Sequence, residues 1–223
     1  MYELEVHPHG EGRAGPFDAG EPAAGRRPGA AGLASVYTKP VVWFLGAVYV
    51  AFGFSYIIYL TFFTKCLIAD GGYTQAQAGR LFMVMGWFSL LCGALWGSVS
   101  DRIGRKSALA LVYLVHAVAF SLFPLWPAPA GFFLSAALFG LSAWSIPAIM
   151  AAACGDLLGP GLAPAALGFV TLFFGVGQAA GPYVAGAMAD AARSFWPAMW
   201  LCAGTALVGA ALTLLLPLRR GGN

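Results

Sequence analysis

The dominant pattern along this 223-residue chain is a series of six long apolar runs separated by short polar or Gly/Pro-rich breaks. The runs are Val41 to Phe63, Leu81 to Val99, Ala108 to Trp126, about Ala130 to Ala153, about Leu167 to Met188 and about Phe195 to Leu216. The first holds 23 residues, about 34 Å as a helix, which crosses roughly 30 Å of hydrocarbon with some tilt. Asp70-Gly71-Gly72, Pro127-Ala128-Pro129, Gly159-Pro160-Gly161 and Asp190 to Arg193 supply turn residues between runs. Only about seven polar or small residues separate the second and third runs, so those two spans are antiparallel neighbours. The pattern predicts an all-α membrane protein, with six transmembrane helices over residues 38–218 and a cytoplasmic tail at 219–223.

Residues 1–37 break the pattern. They are rich in Gly, Pro, Ala, Arg and Glu, lack an apolar period and bury too little to fold alone, so a disordered cytoplasmic segment is expected. His7 and His9 flank Pro8 in this segment and carry no expectation of a metal site. With Glu3 and Glu5 near the start and no apolar run before Val41, no cleavable signal peptide is expected, and the first span acts as its own insertion signal.

Composition removes the soluble alternatives. The chain is 60% hydrophobic and 9% charged, with a mean hydropathy of +0.77, whereas charged residues make up about a quarter of a globular domain. Its net charge of +3 is confined to loops and tails, so no nucleic-acid partner is expected. With the N-terminus inside, Arg13, Arg26, Arg27, Lys39, Arg102, Arg105, Lys106, Arg219 and Arg220 are cytoplasmic, against Lys65, Arg80 and Arg193 outside. That bias predicts a multi-pass cell (inner) membrane protein with both termini cytoplasmic. Cys66, Cys92, Cys154 and Cys202 are scattered singly and read as packing residues. No catalytic constellation, metal-ligand spacing or phosphate loop is present, so neither enzyme activity nor a cofactor is expected.

Charge concentrates in the turn Gly97-Ser98-Val99-Ser100-Asp101-Arg102-Ile103-Gly104-Arg105-Lys106. Gly97 allows another backbone to come close. Asp101 can accept from Arg102 or Arg105, or face a helix N-terminus. Gly104 permits the tight turn, and Arg105 and Lys106 hold it at the cytoplasmic surface.

The pattern G-x-x-x-D-R-x-G-R-K resembles the loop signature of the major facilitator superfamily, and Gly97, Asp101, Arg102, Gly104, Arg105 and Lys106 match its six specified positions. The resemblance implies that this turn is a conformational latch, not a substrate site. It also implies that the chain looks like the C-terminal six-helix half of a secondary transporter, with residues 1–37 resembling the linker between halves. The phrases Phe52 to Tyr59 and Phe174 to Gln178 resemble the branch typified by YbfB and YjiJ.

Superfamily halves are built as three-plus-three inverted repeats, and weak echoes of that construction are present. Phe52-Gly53-Phe54-Ser55 recurs as Phe139-Gly140-Leu141-Ser142; Gly86, Gly97 and Asp101 recur as Gly175, Gly186 and Asp190.

Candidate functional residues lie on the first, fourth and fifth runs. Tyr49, Phe52, Tyr56 and Tyr59 share one helix face, either as a packing seam or as a cavity lining. In the superfamily these helices line the central cavity, so the resemblance implies substrate contact for Tyr56, Tyr59, Trp144 and Gln178. Gly177 and Gly181 share a face suited to close helix contact, and Pro182 permits a kink. Gly177-x-x-x-Gly181-Pro182 is similar to the superfamily's antiporter signature, though in the wrong half to carry a transport direction. No charged side chain lies mid-run; Asp156, at a helix end, reads as structural or as a proton-coupling acid, and His116 as packing or functional. The expected partners are a small-molecule substrate, the lipid bilayer, and a second six-helix half or homodimer. A truncated non-transporting fragment and a six-helix scaffold are the alternatives.

Overall fold

The computed structural model describes residues 30–216, and every element among them is helical. The order is α1 (Ala30–Thr38), α2 (Pro40–Ala69), α3 (Gln75–Ser89), α4 (Cys92–Ile103), α5 (Arg105–Leu125), α6 (Pro129–Ser142), α7 (Ser145–Leu158), α8 (Ala163–Ala192) and α9 (Trp196–Leu215). Helices α2, α5, α8 and α9 and the joined pair α6–α7 are each long and apolar enough to cross a membrane. The pair α3–α4, bent by 45°, makes a sixth candidate span. Residues 1–29, with His7 and His9, and the tail at 219–223 lie outside the described residues. The end of the 1–37 segment is not irregular: α1 is helical, with Tyr37 edge-on to Phe169 at 4.9 Å and the Trp43 indole N–H donating to the Tyr37 carbonyl at 2.8 Å.

Two apolar runs that read as single helices are broken inside. Helix α6 stops at Ser142 and α7 begins at Ser145, four residues after Ala143 stands Pro147, which lacks the N–H that would bond the Ala143 carbonyl. The α3–α4 bend has another cause. The Ser89 hydroxyl donates to the Gly86 carbonyl at 2.7 Å, occupying the acceptor that the Leu90 N–H would use in a continuing helix. Leu90 bonds instead to the Trp87 carbonyl and Leu91 to that of Phe88.

Helix α2 is the spine, packing along α8 and α9, while α5 packs on α9 and α6, and α3 on α6. Glycines set the α2–α8 distance. A Cβ at Gly177 would collide with the Val50 carbonyl oxygen and lie 2.8 Å from the Phe54 nitrogen; one at Gly181 would lie 2.9 Å from the Phe54 carbonyl oxygen. Gly177 and Gly181 thus lie directly against the backbone of α2. Pro182 lies within α8 without ending it, freeing the carbonyl of Gln178 four residues back. At one end of the bundle Asp70 caps the start of α9, accepting from the Phe195 N–H at 2.6 Å and the Ser194 hydroxyl at 3.3 Å.

Candidate transport pocket and charged turn

The charged turn is much tighter than the sequence suggests. Helix α4 runs through Ile103 and α5 begins at Arg105, leaving only Gly104 between them, at φ +83°. Helical bonds continue across it, from the Gly104 N–H to the Ser100 carbonyl and from the Ala108 N–H to the Gly104 carbonyl. A left-handed φ favours glycine, which is the reason for that residue here.

Arg105 organises the turn. Its Nη1 donates to Asp101 Oδ1 at 2.6 Å and to Ser100 Oγ at 2.7 Å, and its Nε donates to Asp156 Oδ2 at 3.1 Å. One guanidinium therefore ties the end of α4 and the start of α5 to the end of α7. Asp156 is thus an ion-pair partner at a helix end. Lys106 Nζ donates to the Leu216 carbonyl at 2.7 Å, closing the same end of the bundle over α9. Arg102 is exposed and makes no ion pair among the described residues. Among the described residues no backbone approaches Gly97: a Cβ there would meet nothing within 4 Å.

The aromatic stripe on α2 divides into a core part and a pocket part. Tyr59 is fully buried and donates to Ser135 Oγ at 2.7 Å, and Ser135 in turn donates to the Ala119 carbonyl at 2.6 Å. Phe120 and Phe139 pack on its ring at 4.8 and 4.5 Å. Tyr59 is a core residue and does not line this pocket, although the resemblance places it in the cavity; its side chain is fully buried and its hydroxyl is already paired. Tyr56 behaves otherwise. It is edge-on to Trp144 at 5.7 Å, and its hydroxyl makes no hydrogen bond among the described residues.

Tyr56 and Trp144 share the wall of a cavity of about 170 Å³ between α2, α3 and the α6–α7 break, with Leu60, Phe82, Met85 and Phe139. The α3 contribution was missed by sequence reasoning. Its signal is the helical spacing Phe82, Met85, Gly86, Ser89, which places all four on one face. A Cβ on Gly140 would collide with the Met85 carbonyl, so this glycine lets α6 press against α3 at the pocket.

Gln178 is half-buried on α8 and is not part of the pocket wall; its amide makes no hydrogen bond among the described residues. Its neighbour one turn back, Phe174, stacks on Tyr49 at 4.9 Å and on Phe52 at 5.5 Å. His116 is fully buried among Phe52, Phe120 and Phe139, and neither ring nitrogen has a hydrogen-bond partner among the described residues.

A family model described as "Uncharacterised MFS-type transporter YbfB" matches residues 22–215, which takes in both the pocket and the charged turn. No curated protein matches the chain. On the strength of the family match the chain belongs to the YbfB-like family of MFS-type transporters, and is a multi-pass membrane protein.

Proposed function

We propose that this bundle is one six-helix half of a secondary active transporter that carries a small solute across the cell membrane by alternating access. In this reading the pocket is its side of the solute path, both termini are cytoplasmic, and the first and last three spans are inverted units. A second six-helix bundle provides the opposite wall.

The observation that supports this best is the pair of open glycine-bearing faces beside the pocket. Gly79, Gly86, Gly93 and Gly97 lie along α3–α4, and Gly168 and Gly175 on α8; a Cβ at any of them would meet nothing within 4 Å. Only 17% of the spanning window of α8 is buried. Lipid tails cover apolar faces, but glycines in membrane helices favour close approach of another helix. The Arg105 links add a mechanical element. They make the cytoplasmic ends of α4, α5 and α7 a single unit, which a rocking bundle moves together and which can latch against the opposite half through the exposed Asp101.

The test is uptake by proteoliposomes containing the full chain, offered a mixed pool of small solutes and read by mass spectrometry. Accumulation of a solute above protein-free vesicles, reduced by Arg105→Ala, supports transport. The non-transporting fragment and scaffold readings predict no accumulation. Disulfide crosslinking of Gly86→Cys to Gly175→Cys between copies, in a background free of native cysteines, tests a homodimer.

A further inference from the structure

We infer that the solute group held by this half is an uncharged ring of about benzene size bearing a hydrogen-bonding substituent, a substrate class that rests on the transport reading above. Three features of the pocket lead there.

The first is size. A closed cavity near 150 Å³ lined by aliphatic and aromatic side chains takes up benzene, and this pocket, open on one side, offers a similar volume of about 170 Å³. The second is lining. Leu60, Phe82, Met85 and Phe139 present aliphatic, thioether and aromatic surface, and the edge-on Tyr56–Trp144 pair offers ring faces and edges at the geometry aromatic groups prefer. The third is polarity. The wall carries no charged side chain, so a charged group placed here loses part of its water shell and finds no counter-ion in this half.

The polar groups that do reach the wall are few and unengaged. The Tyr56 hydroxyl and the Trp144 indole N–H make no hydrogen bond among the described residues. Ser89 donates to the Gly86 carbonyl and retains only acceptor capacity. Tyr56 can donate or accept, and Trp144 only donates. A hydroxyl or carbonyl substituent on the ring satisfies this set without bringing a charge that no side chain of the wall balances. Trp144 stands at the break between α6 and α7, where it is the residue before the first turn of α7 and is 55% exposed. It can therefore cover a bound ring without unwinding a continuous helix.

The experiment uses the full chain in lipid nanodiscs and saturation-transfer NMR with benzyl alcohol, toluene, benzoate and benzylammonium as probes, with empty nanodiscs subtracted. Benzyl alcohol is expected to give a saturable signal at least tenfold stronger than either charged congener. Gly86→Leu, whose side chain enters space in which a Cβ meets nothing within 4 Å, is expected to reduce that signal at least tenfold. Tyr56→Phe is expected to weaken benzyl alcohol about fivefold while leaving toluene unchanged, and it decides the matter if Gly86→Leu does not fold. Charged congeners that match benzyl alcohol, or a folded Gly86→Leu that binds it normally, overturn the inference. Uptake measurements separate the two levels. Transport of a charged, ringless solute that Gly86→Leu blocks overturns the substrate class and leaves transport standing. Saturable benzyl alcohol binding without uptake of any solute overturns transport and leaves the pocket chemistry standing.

Discussion

Gly177→Ala is the sharpest test of how the bundle is held together. The added methyl group runs into the backbone of α2, against the Val50 carbonyl oxygen and at 2.8 Å from the Phe54 nitrogen. Neither atom can rotate away, so α2 and α8 must separate locally. Overpacking of this kind costs about 1–3 kcal/mol, and contact with backbone instead of a flexible side chain places this case at about 2–3 kcal/mol. Lipid tails are as apolar as the seam, so no hydrophobic gain offsets lost contacts, and a gap of about 0.5–1 Å forfeits a quarter to a half of each van der Waals well. At about 2–4 °C per kcal/mol for a chain of this size, the midpoint falls by about 5–10 °C. All four cysteines are buried, so a thiol-reactive dye reports unfolding on heating in detergent. Gly186→Ala is the control. Its Cβ comes no closer than 3.8 Å to Phe62, and the gain in helix propensity is up to about 1 kcal/mol, so its midpoint holds or rises. Equal midpoints for the two variants would refute the backbone-contact reasoning.

Further outcomes follow from single side chains. Gly104→Ala places a side chain at φ +83°, ψ 154°, a region essentially reserved for glycine, and is expected to cost about 1–3 kcal/mol, read as a lower midpoint without any new clash against a neighbouring element. Arg105→Ala leaves Asp101 and Asp156 without their shared cation; because both acids are exposed the stability loss stays near 1 kcal/mol or below, while uptake falls further than stability. Arg105→Lys restores charge but cannot reproduce the fork, and recovers uptake only in part. His116→Leu removes a buried imidazole whose unpaired nitrogens cost about 1–3 kcal/mol; the midpoint rises and uptake is kept, and loss of uptake in a stable variant would assign the histidine a functional role. Tyr59→Phe costs about 1 kcal/mol through loss of the bond to Ser135 and lowers the midpoint accordingly, whereas Tyr56→Phe leaves it unchanged.

The spans and the charge of the turn were legible in the sequence because membrane insertion depends on length, apolarity and Lys/Arg placement, all local quantities. The breaks were not. Pro147 interrupts a run that is apolar throughout, and hydropathy does not register a missing N–H. The Ser89 hydroxyl bends α3 away from α4 by taking one carbonyl, a competition invisible to any count of apolar residues. Residues 163–166 and 64–69 also extend α8 and α2 beyond their apolar runs, since helices continue past the hydrocarbon edge. The split of the α2 stripe into Tyr56 on the pocket and Tyr59 in the core could not be read from helical spacing, which places both on one face. Only Ser135, delivered by α6 from 76 residues away, decides which hydroxyl is paired. Conversely, the match of six residues to the loop signature was legible, but its contact with Asp156 needed the fold to bring α7 beside α4.

Alternating access through the pocket is tested most directly by labelling Gly86→Cys, in a background free of native cysteines, with a small membrane-impermeant thiol reagent. Right-side-out and inside-out vesicles are compared, with and without benzyl alcohol. The account predicts that the position is reached from both sides of the membrane and that bound alcohol protects it from either. Labelling from one side alone under every condition, or from neither, would contradict it.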